Sequence, residues 1–344
     1  MLYCSLVFSV GALTANDSSS HYSRAEASKN YINFWSFKDL ADFWFIPLPG
    51  PKAIFDPALP NPEELLDPKR IDDPATFNFS KIQPGDIIFV RKPYLFLHTI
   101  HPHIKVPYVI ITHGHSPDAF NKEYLPFLDE STIIAWFTIH AGAFTSHHEK
   151  LFSLPLGIRQ WPNFNKKPRF KKLNKLFTSL RTSDQPKKHL VYMNFLDWTD
   201  PERKEIRKQF SGKPFCLEAE RVSTKVFMQQ MASCKFTFAP RGVAPLDTFR
   251  IWESLIVGSF PIVKKSENTD MFLYEGLPIL FINSWNEITQ EFLEEQYEAL
   301  SSKRYSVEKL YMEYWIQKIL HVRHNFLKKI LHPSHKTHTK GEVS

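Results

Sequence analysis

Between Phe238 and Val263 the chain reads FAPRGVAPLDTFRIWESLIVGSFPIV, with two arginines, an aspartate and a glutamate set between two apolar runs. Phe249, Trp252, Leu255 and Ile256 recur at helical spacing and define one apolar face. Arg250 and Glu253 stand three residues apart, so they share another face of the same helix. Asp247 or Thr248 can cap its start, Gly258 stops it, and Pro261 opens the next strand. A strand ending in Pro240-Arg241-Gly242 and running into this helix gathers Arg241, Gly242, Asp247, Thr248, Arg250 and Glu253 around one helix N-terminus. Such a terminus offers unpaired N–H groups and partial positive charge, and arginine forks suit phosphate. A carboxylate beside phosphate is unfavourable unless it faces hydroxyls. Glu253 therefore fits a ribose, and Arg241 and Arg250 fit a diphosphate. Spacing alone equally admits a simple Arg250–Glu253 ion pair with Arg241 as a loop charge.

A proton acceptor for chemistry near neutral pH is offered by THGHSPD, which follows an apolar run and carries His113, His115 and Asp118. Asp118 and His113 are the candidate catalytic bases; the aspartate would need positioning or a raised pKa. His140, after WFTI, is a second candidate, whereas His147 and His148 read as surface. Arg203, in the first turn of a helix after DWTDP, is a further phosphate contact by type and place. Thr199 and Glu202 match a capping box there, with Pro201 in the first turn. The three cysteines, Cys4, Cys216 and Cys234, make no disulfide framework and no zinc spacing. Asp72 and Asp73 read as loop, and His332, His335 and His338 belong to a solvated basic tail.

The elements that must position these residues alternate. Short continuous apolar runs, Ile87–Val90, Tyr108–Thr112, those within STIIAWFTIHA and LFSLPLGIRQW, His189–Phe195, Lys235–Ala239, Pro261–Val263 and that within GLPILFINSW, read as strands buried on both faces. DAFNKEYLPFLDE and Thr224–Ser233 read as helices between them. Alternation of this kind implies parallel sheets with right-handed crossovers and ligands at the strands' carboxyl ends. The expected organisation is an irregular segment over 1–80, a first α/β domain over 81–165 with part of 1–80, a second over 186–300, and a C-terminal helix and basic tail over 301–344.

At 344 residues, 43% of them hydrophobic, the chain can bury two cores and is not a disordered protein. Its net charge of +7 suits an anionic partner. The basic run at Lys166–Lys175 and the C-terminal end suit a peripheral membrane contact. Nucleic acid is not the expected partner, because aromatics do not interleave with the basic runs and no nucleic-acid module is present. MLYCSLVFSVGALTA is apolar but shorter than the roughly 20 residues of a membrane span, and is similar to the core of a signal peptide without its positive start.

The stretch Pro240-Arg241-Gly242, Arg250, Trp252-Glu253-Ser254-Leu255 and Gly258-Ser259-Phe260-Pro261-Ile262-Val263 resembles the C-terminal motif of exostosin-like glycosyltransferases. YMNFLDWTDPER, LPLGIRQW and YVIITHGHSPD resemble other parts of that family, so the likeness spans about residues 82–290. The resemblance implies a GT-B architecture: α/β, with two Rossmann-like domains of parallel sheets facing across a cleft. It implies a nucleotide-sugar co-substrate held by the second domain, with Glu253 on the ribose and Arg241, Arg250 and Arg203 near the diphosphate. A glycan or lipid-linked acceptor would sit on the first domain. No cofactor is expected, and no metal, since the Asp-x-Asp pair of metal-dependent transferases is missing. Two other readings fit the same residues: a non-catalytic carbohydrate- or phosphate-binding protein of this fold, and a nucleotide-sugar epimerase.

Overall fold

The computed structural model describes residues 30–48, 64–114, 118–159, 167–183, 186–242, 247–266 and 271–331. The apolar N-terminal stretch, His115, Lys166 and the histidines His332, His335 and His338 lie outside the described residues.

The first sheet holds β1 (Phe43–Phe45), β2 (Ile87–Val90), β3 (Tyr108–Thr112), β4 (Ile133–Ile139) and β5 (Leu151–Leu154), side by side in chain order and all parallel. Every residue of β2, β3 and β4 is buried, as continuous apolar runs require. Strands laid down in chain order step always the same way. Right-handed crossovers then put their connections on one face and leave the other bare. The crossover face is covered by α2 (Pro93–Thr99) and α3 (Leu125–Leu128), whose Phe96, Leu97 and Leu128 join Ile88, Val90, Ile110 and Trp136. The bare face is covered from both ends of the chain. Before β1 comes α1 (Phe34–Leu40), capped by Asn33 through its Oδ1 on the Ser36 N–H (2.9 Å). Its Phe34, Phe37 and Leu40 pack with Phe89, Ile111 and Phe137, and so do Trp315, Ile316 and Ile319 of the C-terminal helix.

The second sheet holds β6 (His189–Met193), β7 (Cys216–Glu218), β8 (Cys234–Phe238), β9 (Phe260–Lys264) and β10 (Leu280–Ile282), again all parallel, in the order β10-β9-β8-β6-β7. This is the doubly wound order 2-1-3-4-5, so the winding direction reverses between β6 and β8. The helices divide accordingly. After α4 (Lys167–Thr182), which leads into β6, α5 (Pro201–Phe210) lies on the outer face with α9 (Gln290–Ser301). The inner face takes α6 (Thr224–Ala232), α7 (Phe249–Ile256) and the single turn α8 (Met271–Tyr274). The C-terminal helix, α10 (Met312–Leu331), returns to the first sheet. One apolar cluster thus runs unbroken from the inner face of the first sheet to that of the second. Among the described residues, no helix is long and apolar enough to cross a membrane.

The α/β architecture of two parallel sheets agrees with the expectation, and several details differ. Residues 34–45 are not irregular: α1 and β1 lie there, and β1 adds an edge strand to the first sheet. DAFNKEYLPFLDE supplies only a 3-10 turn at Lys122–Tyr124 and α3, because Pro126 leaves no room for a longer run. The Thr199 capping box does not form. Asp200 takes the cap, its Oδ1 accepting the Glu202 N–H (2.9 Å), since Pro201 fixes the first helical position one residue later.

The units are joined by residues 155–159, whose geometry hangs on Gly157. It sits at φ +67, and a Cβ there would strike the Ile32 carbonyl oxygen, which accepts the Ile158 N–H at 2.8 Å. Gly157→Ala combines left-handed strain with a backbone clash. It is expected to lower stability by about 2–4 kcal/mol, read as a lower urea midpoint at unchanged slope.

Candidate functional site

In a doubly wound sheet the crevice for a ligand opens where the winding reverses, beyond the carboxyl ends of the strands. Here that point lies between Asn194, after β6, and Ala239–Gly242, after β8. Arg203, from the first turn of α5, staples the two loops. Its Nε donates to Arg241 O (2.8 Å), Nη2 to Pro240 O (3.3 Å) and Nη1 to Leu196 O (3.3 Å). Burial, then the charge of Arg250, lowers its pKa to about 10. Gly242 lies under the staple, where a Cβ would be 3.4 Å from Arg203 Nη2. Arg241 points outward, 52% exposed, with its Nε 3.2 Å from Asp200 Oδ2.

Across the reversal stands the N-terminus of α7. Thr248 occupies the cap position with extended backbone but makes no side-chain cap bond, and its Oγ1 is buried with no hydrogen-bond partner. Arg250 donates from Nη2 to Asn194 O (2.7 Å) and lies over the Phe227 ring, 4.3 Å to its centroid. Its Nη1 is buried with no hydrogen bond, 3.7 Å from Glu253 Oε2. Burial lowers the Arg250 pKa; Glu253 opposes this and the charge of Arg159 adds to it. Arg250 thus feels the charge of Arg159, and Arg203 that of Arg250; Glu253 opposes at Arg250, and Asp200 and Glu202 at Arg203. The expected ion pair between Arg250 and Glu253 is present as a loose contact.

Glu253 is only 2% exposed, and its Oε1 accepts the backbone N–H of Arg159 at 3.3 Å. Asp247, also 2% exposed, does not cap α7. Its carboxylate accepts from Trp252 Nε1 (2.8 Å to each oxygen), Tyr274 Oη (2.8 Å) and, across the unit boundary, Leu156 N (2.6 Å). Burial raises its pKa to about 6 against the pull of those hydrogen bonds. Of the residues placed around this helix by the sequence, Thr248 and Arg250 present unsatisfied polar atoms, whereas Asp247 faces protein on every side.

The same region touches the carboxyl edge of the first sheet. His113, directly after β3, is 1% exposed; its Nε2 donates to Pro155 O at 2.9 Å, and its ring lies 4.8 Å from that of Phe37. Asp118 is fully buried, pairs with Arg91 Nε (2.5 Å) and accepts the N–H of Lys92 (2.9 Å), a residue at φ +55. Both thus hold backbone: His113 the connection between units, Asp118 a left-handed turn. His140 stands one residue beyond β4. It also sits at φ +55, is 8% exposed, and its Nδ1 is buried with no hydrogen-bond partner. Burial lowers its pKa to about 4, so the imidazole is neutral across the physiological range. Among the described residues no group of three or more His, Cys, Asp or Glu could hold a metal ion.

Arg159, Asn194 and Arg91 were not singled out by type or spacing. Arg159 had a signal, as the charged residue closing LPLGIR after a strand. Asn194 acts through its carbonyl, which no side-chain pattern reports.

What fold and site define together is a two-unit parallel α/β protein with arginines gathered at the winding reversal of its second sheet. No protein-family model matches the chain, and comparison with curated proteins finds no match. Solved structures do match. An α1,3-fucosyltransferase with GDP-fucose is similar over 75% of this chain and 80% of its own, at 12% identity and a TM-score of 0.42. AviGT4, a glycosyltransferase involved in avilamycin A biosynthesis, is similar over 85% of this chain and 98% of its own, at 9% identity and a TM-score of 0.38. The GtfA/B complex, at 9% identity and a TM-score of 0.36, is matched over 72% of this chain, which spans 55% of the GtfA/B chain.

Asp247 and His140 titrate in overlapping windows with opposite sign. Asp247, raised from 3.8 to about 6, contributes stability that is present below about pH 4 and lost as pH rises through about 6. His140, lowered from 6.5 to about 4, contributes stability that is present above about pH 6.5 and lost as pH falls through about 4. Two pKa units correspond to about 3 kcal/mol, so in the parent protein the two slopes largely cancel. His140→Gln should leave stability falling from pH 4 to 6 relative to the parent, and Asp247→Asn should leave it rising. Urea unfolding at four pH values measures the slopes; identical slopes in all three proteins would contradict these ionisations.

Proposed function

We propose that the protein is a glycosyltransferase that moves a sugar from a nucleotide-diphosphate sugar to a glycan or lipid-linked acceptor. The observation that carries this reading is the pair of buried, unsatisfied groups at the N-terminus of α7, Thr248 Oγ1 and Arg250 Nη1, at the winding reversal of the second sheet. Buried polar atoms without partners are costly in an empty site and favourable toward an incoming anion. The Pro240-Arg241-Gly242 turn and the Trp252-Glu253-Ser254-Leu255 run support the exostosin-like subclass.

In this reading Arg250 and the first N–H groups of α7 hold the diphosphate, with Arg159 beside them and Arg203 bracing the loops. Arg241 and Gly242 form the rim, and Glu253 reaches the ribose by exchanging its contact with Arg159 N. Asp247 keeps α7 in place. In the transfer the acceptor oxygen bonds to the anomeric carbon while the bond from that carbon to the phosphate oxygen breaks, and the electron pair leaves on the diphosphate. Arginines that meet this growing charge lower the barrier without a metal. The acceptor's proton goes to a base on the first unit, and we assign this to His140, whose Nδ1 is buried without a hydrogen bond. Asp118 and His113 then serve as positioning groups, holding the Lys92 turn and the connection between units. The basic face of α4 supports a peripheral membrane contact, which suits a lipid-linked acceptor.

Thermal shift and calorimetry with UDP, GDP and their sugars test the site. A nucleoside diphosphate is expected to raise the melting temperature, and Arg250→Ala to weaken its binding by about tenfold or more. His140→Gln should leave that binding within twofold and lower turnover by about 100-fold to 10,000-fold. If no nucleotide binds, the sugar-donor site is refuted. Binding without transfer to any acceptor would favour a non-catalytic carbohydrate- or phosphate-binding protein, and interconversion of the sugar nucleotides an epimerase.

A further inference from the structure

The loop from β6 to α5 is held at almost every residue. Asn194 O accepts from Arg250, Phe195 O from Arg207 Nη2 (2.8 Å), and Leu196 O from both Arg203 and Thr199 Oγ1 (3.2 Å). Arg207 Nε also binds both carboxylate oxygens of Asp197, at 2.8 and 2.9 Å, and Asp200 caps α5. Within this braced turn Trp198 stands 74% exposed, with Leu196 beside it at 47%. A fixed loop that presents an indole to water at the carboxyl edge of a sheet is a preorganised surface for a ring. The indole offers a large apolar face at little cost in lost freedom.

Its place in the site indicates which ring. Glu253 is next to Arg250, Arg250 binds the carbonyl of Asn194, Arg203 binds that of Leu196, and Trp198 lies two residues further along the same loop. A nucleotide with its ribose at Glu253 and its phosphates at Arg250 directs its far end along the loop from Asn194, which Arg250 binds, toward Trp198. That end is a sugar. We infer that Trp198 is a stacking platform for a pyranose ring, taking the C–H face of the transferred sugar or of the first acceptor sugar. This rests on the glycosyltransferase reading above for the direction of the nucleotide.

The test uses the full chain with Trp198→Ala and Trp198→Phe. Calorimetry compares UDP and GDP with UDP-glucose, UDP-N-acetylglucosamine, GDP-mannose and GDP-fucose. Labelled protein is also applied to an array of pyranose oligosaccharides. If the platform serves the transferred sugar, Trp198→Ala weakens the preferred sugar nucleotide about tenfold, leaves the bare diphosphate within twofold, and Trp198→Phe restores most of the loss. If it serves the acceptor, sugar nucleotides are unaffected and array binding is lost in Trp198→Ala and restored in Trp198→Phe. The platform is overturned if the alanine variant matches the parent in both assays, or if it weakens the bare diphosphate as much as the sugar nucleotide. Should the parent bind no nucleoside diphosphate at all, the sugar-donor site fails separately, and the array alone decides for or against the platform.

Discussion

Residues 155–159 cross from the first sheet toward the second unit, and their backbone groups are gripped from alternate sides. His113, of the first unit, holds Pro155 O; Asp247, of the second, holds Leu156 N. Ile32 O, of the first, accepts from Ile158 N; Glu253, of the second, accepts from Arg159 N. The connection is too short to hydrogen-bond within itself, yet Leu156 and Ile158 are buried. Buried backbone groups need partners. The two units must therefore supply them, and doing so sets how the carboxyl edges of the two sheets meet. Gly157 at the centre is the one residue that can turn the chain between those partners.

This explains why the charged stretch before and within α7 is mostly buried. Trp252, Leu255 and Ile256 pin the helix to the shared core, as their spacing implies. Its carboxylates then fall toward the connection instead of toward water. Asp247 satisfies a tryptophan, a tyrosine and a backbone N–H at once, so it behaves as a knot between units. Arg181 completes the same helix from the other end by donating to Leu255 O and Ile256 O, where a cation suits the helix dipole.

Much of the frame was legible because apolar runs buried on both faces leave little ambiguity. Ile87–Val90 and Tyr108–Thr112 were read to the residue. The edge strands β1 and β7 were not: β7 is half-buried without an apolar run, and β1 runs directly into the proline-rich stretch. The helix α1 was obscured by the proline-rich sequence after it. Within the site, helical spacing correctly paired Arg250 with Glu253 and stopped α7 at Gly258, which takes φ +77. It could not show that Asp247 meets Leu156, 91 residues away, or that Glu253 meets Arg159, 94 away. Partners at such separations are set by how whole units pack, and local pattern carries no trace of them.

The shared use of Glu253 also bears on the electrostatics around Arg250. One carboxylate, 3.7 Å from Arg250 and bonded to a backbone N–H as well, neutralises the guanidinium only in part. Burial is the main reason the charged form of Arg250 is disfavoured, and the charge of Arg159 adds to it. A buried cation in that state gains more from an incoming dianion than an exposed arginine such as Arg241 would, because less solvent screening is lost on binding. Glu253 released toward ribose hydroxyls would remain buried and hydrogen-bonded, while Arg250 exchanged a loose contact for phosphate oxygens. The connection between units would then lose its grip at Arg159 alone and keep those at Pro155, Leu156 and Ile158. In the proposed donor site, occupancy would thus bear on the connection only through the Glu253 contact with Arg159 N.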